Sequence, residues 1–562
     1  MLNYAAAVAF LSLLTPSLTS PALQSNTLIS ARDACAGNTA DTRSEWCDYS
    51  IDTDYSEEAP ETGVTREYYF ELLDSNVSPD GVERYAMSIN GSIPGPTIYA
   101  DWGDTVVVHV TNSLADSTNG TSIHFHGIRQ NYTNQHDGVT SITQCPTPVG
   151  STITYIWRAL QYGSTWYHSH YSLQAWEGVF GGIVINGPAT ANYDEDMGIM
   201  FLNDWDHDTV DALYLSAQTS GPPTLDNGLI NGTNVYGDDD HSDQTGFRWN
   251  ATWVEGSSYR LRLVNAAVDT HWKFSIDNHS MTVIAMDLVP ITPFTTNVLS
   301  MGMGQRYDVV VTADQASIAS SFWLRAIPQS SCSDNDSSDN IRGIIYYANS
   351  TDTPTTTGFS FTDSCEDEDV SNLVPYISKT VGDSGWSDSE AATVAFNDDS
   401  LFRWYLNSTT MVVEWVDPTI LKVYNNETSF VDSNGVIEID DEEWVYLAIQ
   451  TTLAVPHPIH LHGHDYYVLA QGSGTYNSST TLNLANPPGG TPPCFLRPTD
   501  NPGAWLMHCH IGWHTSEGFA LQFVERRSEM LDLIDYNLLN STCAAWETYT
   551  DSVSVVQDDS GV

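Results

Sequence analysis

Seventeen histidines occur in the 562-residue chain, and eight fall into four His-x-His pairs: His124/His126, His168/His170, His460/His462 and His508/His510. On a strand, side chains two apart share a face, spaced about 6.6–6.8 Å along the chain. Such a pair reaches two adjacent metals side by side more naturally than it chelates one. A single pair is more often surface polarity or a hydrogen-bonded core histidine. Four pairs, two followed by Gly and two preceded by aromatic residues, reverse those odds, and eight imidazoles fit a cluster of two or three metals. A second site lies against the first. Cys509 sits between His508 and His510, His514 follows five residues on, and His457 precedes the third pair. His457, Cys509 and His514 make a His₂Cys set, the blue-copper arrangement for electron transfer. Zinc takes the same ligand types, but eleven candidate ligands around one seam exceed what structural zinc requires. Cys509 also gives a covalent link through which an electron could pass to the imidazoles on either side.

The elements that must hold these residues read as all-β. Short β-branched runs recur at Thr105–Thr111, Gly182–Asn186, Tyr259–Asn265, Met281–Met286 and Tyr307–Thr312, between Gly, Pro, Asn and Asp clusters. Helical periodicity is nearly absent, with short helices expected only near Glu529–Tyr536. A weak repeat is visible: the second His of one pair precedes the first of the next by 168 − 126 = 42 residues at one end and 508 − 462 = 46 at the other. The middle third carries strand patterns but no His-x-His pair. The expected architecture is three consecutive β-domains of one kind, at 35–190, 191–360 and 361–562, with the metal chemistry shared by the first and third. The polar stretch Asn349–Asp369 reads as the linker.

Composition bounds the partners. Formal net charge is 19 − 71 = −52, which repels phosphate backbones and anionic lipid, so nucleic acid and membrane surfaces are excluded as partners. Small neutral or cationic molecules remain. Ala5–Leu14 is an apolar run of ten, too short for a span of about 20 residues but suited to a signal peptide, expected at 1–20. Thirteen Asn-x-Ser/Thr sequons in an exported chain point to a secreted glycoprotein.

The motifs HFHG (124–127), WYHSH (166–170), HPIHLHGH (457–464) and HCHIGWH (508–514) resemble those of multicopper oxidases, and the match is close to laccases of the ascomycete fungal branch. NGSIPGPTI (90–98), WGDTVVVHVTN (102–112), TSIHFHGIRQ (121–130) and TDNPGAWLMHCH (499–510) extend it from about Cys35 to the last residue. The resemblance implies three cupredoxin-like domains and four coppers. It places type 1 copper on His457, Cys509 and His514, and type 2 copper on His124 and His460. The type 3 pair falls to His126, His168, His170, His462, His508 and His510. The implied reaction is one-electron oxidation of small phenolic or aromatic reductants, coupled to reduction of dioxygen to water by a secreted monomer.

The resemblance also assigns residues that tune the reaction. Asp137 matches an acid near the cluster that could relay protons, although an Asp-Gly turn would look the same. Asp269, in AAVDTHW, matches an acidic position at the reductant pocket, where a carboxylate can accept the phenolic proton. Phe519 stands ten residues after Cys509 at the axial position and donates nothing, which favours Cu(I). The last four residues, Asp559–Val562, resemble a C-terminal plug in a solvent channel to the cluster, with Val562 where Leu is usual. Disulfides are implied at Cys35–Cys47, Cys145–Cys543 and Cys332–Cys365, leaving Cys494 over. Cys494 lies in segment 489–498, where the chain is shorter than the family pattern and a domain-three strand beside that of Cys509 would be lost. Two other functions compete: a relative acting on metal ions or ascorbate, and a non-catalytic copper-binding secreted protein.

Overall fold

Alternation builds the first sheet. In Thr105–Asn112, Val106, Val108 and Val110 are buried while Thr105, Val107 and His109 are half-buried, the period of two that a strand imposes. The structure is a computed structural model and describes residues 35–562 except 118, 240, 349, 381–385, 428, 452, 454 and 472–493. The expected signal peptide, the sequons at Asn349 and Asn477, and residues 489–493 lie outside the described residues.

The same two-sheet arrangement occurs three times. In one sheet Thr65–Val77 runs parallel to Thr105–Asn112, which pairs antiparallel with Thr152–Arg158. Glu195–Trp205, Ser258–Asn265 and Arg306–Thr312 repeat that order, as do Trp386–Phe396, Trp444–Thr451 and Cys494–Pro498. In the facing sheet Gly95–Asp101 is parallel to Phe180–Asn186, followed antiparallel by Gly163–His168 and His124–His126. Asn250–Trp253, Arg342–Tyr347, Ser321–Pro328 and Trp272–Ile276 follow the same sequence. So do Val436–Ile439, Ala520–Glu525, Gly503–Cys509 and Ile459–Leu461. Sheet facing sheet with apolar inner faces is a sandwich, here of the cupredoxin kind.

The shortened segment does not empty a strand position, contrary to the sequence expectation. Cys494–Pro498 occupies the place held elsewhere by Thr152–Arg158 and Arg306–Thr312, at five residues against seven. Both strands beside Gly503–Cys509 are present. Helices are also longer than expected. Val210–Ser220 has 11 residues and Tyr536–Thr550 has 15. The latter starts where the Asp535 side chain accepts from the Asn537 and Leu538 N–H groups. It is tied to the first unit by Cys145–Cys543, and the disulfides Cys35–Cys47 and Cys332–Cys365 are formed as well. The polar linker is pinned to the middle unit by Cys365 and by Gln305 donating to Asp367 at 2.7 Å.

The middle and third units share one continuous core, in which Trp272, Phe274 and Leu299 join Trp404, Cys509, Trp513 and Phe519. The first unit has its own, around Trp102, Val108, Phe125 and Tyr167. A smaller core joins the first and third units, where Val139 and Ile142 pack with Met411 and Leu506, and the metal-ligating residue types line the seam between these two units.

Candidate metal centre

Strand register brings the four histidine pairs together. His124 lies directly across from His168, and His460 directly across from His508. Each first pair ends in a glycine in the left-handed region, Gly127 at φ 77° and Gly463 at φ 71°. A Cβ on Gly127 would lie 2.3 Å from the Arg306 guanidinium, and one on Gly463 2.4 Å from the Trp505 ring. Only glycine turns the chain there.

Across the seam, His124 Nε2 and His460 Nε2 stand 3.4 Å apart, and within the first unit His126 Nδ1 is 3.4 Å from His168 Nε2. Three groups gather ligand atoms within 4.8 Å of one another: His124, His126 and His168; His124, His460 and His462; His170, His462 and His508. The His510 ring sits 5.0 Å from that of His126 and 5.5 Å from that of His508. All eight sequence-derived cluster histidines are therefore in one place.

Their tautomers are fixed from behind. His168 donates from Nδ1 to the Ser169 carbonyl, His508 to the Cys509 carbonyl, and His124 to the Asp137 carbonyl, each at 2.9 Å. His462 Nδ1 lies 2.9 Å from Asp137 Oδ2. Each leaves Nε2 facing inward as the ligand atom, the orientation that outer hydrogen bonds give metal-binding histidines. Asp137 thus touches two of the imidazoles, His124 and His462.

Electrostatics fit an ion. Burial, then neighbouring imidazoles, holds His126, His170, His460, His462 and His510 well below the ordinary value, and burial, opposed by the Cys509 carbonyl bond, holds His508 at about 4. Neutral imidazole is the form that binds metal. The inward Nε2 atoms of His462, His508 and His510 are buried with no protein hydrogen-bond partner, a cost that a bound cation removes.

The second site uses the other ring nitrogen. Cys509 Sγ is 3.7 Å from His457 Nδ1 and 3.6 Å from His514 Nδ1. Burial pushes the Cys509 thiol up, so a metal must displace its proton. Phe519 is buried here, its ring 5.0 Å from that of His457. Its amide accepts and donates locally, with Cys509 N–H to Phe519 O at 3.1 Å. Trp404, which sequence reading did not single out, packs 4.8 Å from His457 and 4.5 Å from His514.

Asp269 is buried beside Trp513, which precedes His514. Its loop is held by Asp204, whose carboxylate accepts the Val268, Asp269 and Thr270 N–H groups at 2.9–3.1 Å. A cavity of about 390 Å³ opens instead on His457, with His126, His460 and His510 in its wall beside Met286 and Tyr466, and Asp269 does not line it. The chain's last residues are buried too. Gly561 O accepts from Ser141 Oγ at 2.8 Å and from Thr140 Oγ1, which also donates to the His170 carbonyl.

Comparison with known proteins agrees with this geometry. Multicopper oxidase family models match residues 71–190, 196–350 and 405–529. Laccase-2 of Botryotinia fuckeliana is 46% identical over 94% of each chain. A laccase of Neurospora crassa is 37% identical over 92% of this chain and 87% of its own. Among solved structures, the laccase from Botrytis aclada superposes at TM-score 0.89 with 45% identity, covering 94% of this chain and 100% of that one. Fet3p, described as a multicopper oxidase that functions in iron import, superposes at 0.75 with 25% identity, covering 89% and 98%.

Proposed function

The chain belongs to the multicopper oxidase family, and from that membership we propose how its residues divide the work of a laccase-like enzyme, which oxidises phenolic reductants with dioxygen. Its cofactor is copper, four ions. Bound copper supplies the redox chemistry, taking single electrons from the reductant and delivering four to dioxygen to give water.

His457, Cys509 and His514 would hold the ion that accepts electrons. His124 and His460 would hold type 2 copper. His126, His168 and His510 would hold one type 3 ion, and His170, His462 and His508 the other. Cys509, lying between His508 and His510, provides the covalent path from one site to the next. Phe519 leaves the electron-accepting site without a fourth donor, which keeps its potential high. Asp137 holds His124 and His462 in orientation, and its carboxylate is placed to exchange protons beside them. Asp269 accepts the phenolic proton as the electron leaves, so four phenols surrender four protons and four electrons while one dioxygen takes up the same numbers.

The observation carrying this reading is the meeting of four His-x-His pairs from two domains, one of them containing Cys509. We place the domains at 35–190, 191–360 and 361–562. The laccase relatives favour phenols over metal ions or ascorbate as the reductant. Three disulfides fit an oxidising compartment, and no helix among the described residues is long and apolar enough to cross a membrane. Secretion as a monomer follows as part of the proposal.

Copper analysis, blue absorption and oxygen uptake with a diphenol test it together. Purified copper-loaded protein should bind four ions per chain and consume oxygen. Material that stays colourless and inert toward every diphenol and methoxyphenol tried would end the reading.

A further inference from the structure

Thr515 follows His514 in the short helix Gly512–Ser516 and is buried. Its hydroxyl reaches back to the strand that the helix follows. Thr515 Oγ1 donates to the Cys509 carbonyl and lies 3.2 Å from His508 Nδ1. That ring nitrogen donates to the same Cys509 carbonyl at 2.9 Å. Three groups therefore close a triangle: a cluster imidazole, the carbonyl of the thiolate residue, and a hydroxyl from the helix that carries His514.

The hydrogens suffice for it. A carbonyl accepts from two donors, and a hydroxyl offers one hydrogen and two lone pairs. His508 Nδ1–H is shared between the carbonyl and Oγ1, while the Oγ1 hydrogen goes to the carbonyl. The Ile511 carbonyl, four residues back, is the acceptor a helical Thr ordinarily uses, and it stands at 3.3 Å. The imidazole on the other side of Cys509 has no such support: His510 Nδ1 is buried without a hydrogen-bond partner among the described residues.

We propose that Thr515 is a positioning residue for electron transfer, holding the His508 ring against the Cys509 carbonyl so that electrons cross from the thiolate site to the cluster through that contact. The inference rests on the functional reading above. One electron leaves the His457–Cys509–His514 site and reaches the ion held by His508. The first is oxidised and the second reduced, with no bond made and no proton moved. Along the chain the electron must pass both residues' backbone atoms before it meets the ring. The carbonyl–imidazole hydrogen bond is a second way across, and its coupling weakens as it lengthens. Without the hydroxyl, the ring N–H keeps one acceptor of two and the carbonyl one donor of two. The His508 ring then turns more freely, and the crossing slows.

The test compares Thr515→Val, which keeps the shape and loses the hydroxyl, with Thr515→Ser, which keeps it. In metal-free protein carrying isotope-labelled histidine, nuclear magnetic resonance reads the His508 Nδ1–H, assigned by its absence from His508→Gln. In copper-loaded protein, pulse radiolysis reduces the blue site, and the return of its absorption times the passage of the electron to the cluster. Thr515→Val should show a shifted, faster-exchanging Nδ1–H, with four coppers and an unchanged type 1 potential. Its electron passage should be about 2- to 10-fold slower, the range of one neutral hydrogen bond. Thr515→Ser should match the wild type throughout. An unaltered Nδ1–H or an unaltered passage rate in Thr515→Val overturns the proposal. So does a shifted potential, which would make the change one of driving force, or a loss of copper, which would make the hydroxyl a support for the metal alone. Equal slowing in Thr515→Ser overturns it too, because the hydroxyl would not be the cause. A wild type that shows the Nδ1–H but no blue colour on copper loading overturns the functional reading instead, and with it the claim about electron transfer.

Discussion

Asp137 and His462 meet at 2.9 Å although 325 residues separate them, so a carboxylate of the first domain orients an imidazole of the third. The backbone carbonyl of the same residue accepts from His124 Nδ1 at 2.9 Å, with the carboxylate 3.2 Å away. One acid therefore sets two ligands on opposite sides of the seam, and closing the domains together is what completes the cluster.

Replacing Asp137 by Asn leaves the shape but removes the negative charge and one acceptor oxygen. Losing such an outer partner costs about 10- to 100-fold in metal affinity or activity. Oxygen uptake by Asp137→Asn should fall by that order while the blue absorption persists, because Cys509, His457 and His514 do not touch Asp137. Copper analysis with oxygen-electrode measurements checks it, and a variant that loses its colour would show that the two sites are not separable in this way.

Much of this arrangement was legible in the chain. His-x-His on a strand announces a shared face, and Cys509 between two such histidines announces the connection. The sandwich was readable from Val106, Val108 and Val110 and their counterparts. Trp404 was not readable, because its place against His457 and His514 exists only once distant strands pack. The helix Tyr536–Thr550 was hidden by its polar faces, with Leu539 and Trp546 as its buried residues. Asp269 was expected at the reductant pocket by resemblance alone, and its burial away from the large cavity depends on Asp204 and the loop it gathers.

Phe519→Met should lower the potential of the electron-accepting copper. Thioether sulfur adds a weak donor that stabilises Cu(II), which the phenyl ring cannot do. Phenols that are hard to oxidise should slow most, since their driving force is small. Redox titration beside the blue absorption is the measurement, and an unchanged or higher potential with colour intact would show that Phe519 is not axial.

Deleting Asp559–Val562 removes the group that fills the space beside Thr140 and Ser141. Ser560 N–H donates to Ser516 O at 2.9 Å in the third domain while Gly561 O accepts from Ser141 Oγ at 2.8 Å in the first, so the tail ties the first domain to the third. Val562 also packs in the core with Val139 and Met411. The truncated protein should unfold at lower temperature and reoxidise more slowly with dioxygen, at nearly unchanged type 1 potential. Stopped-flow reoxidation and calorimetry measure these, and an unaltered rate would confine the tail to a structural role.

Asp269→Asn should reveal itself through pH. Burial, then the Asp204 carboxylate, raises the Asp269 carboxyl to about 7, only partly offset by the neighbouring Trp513 indole; copper's positive charge nearby will draw it down somewhat. A proton acceptor must be ionised, so below that value the acceptor fraction falls about tenfold per pH unit. Phenol oxidation by the wild type should therefore climb with pH toward neutrality, and the Asn variant should lack that limb. The ratio between them should be greatest near pH 7, about 100-fold or more if Asp269 acts as a general base, and smallest near pH 4. Donors with no proton to lose should show a ratio near one throughout. Stability supplies a control independent of turnover. A carboxyl raised by folding contributes stability that is present below its unfolded value near 3.8 and lost as pH rises through about 7. The Asn variant carries no such loss, so its melting temperature should gain on the wild type between pH 4 and pH 8. Equal pH profiles for phenolic and non-phenolic donors, with the melting difference present, would show that Asp269 is buried as described but accepts no proton from the reductant.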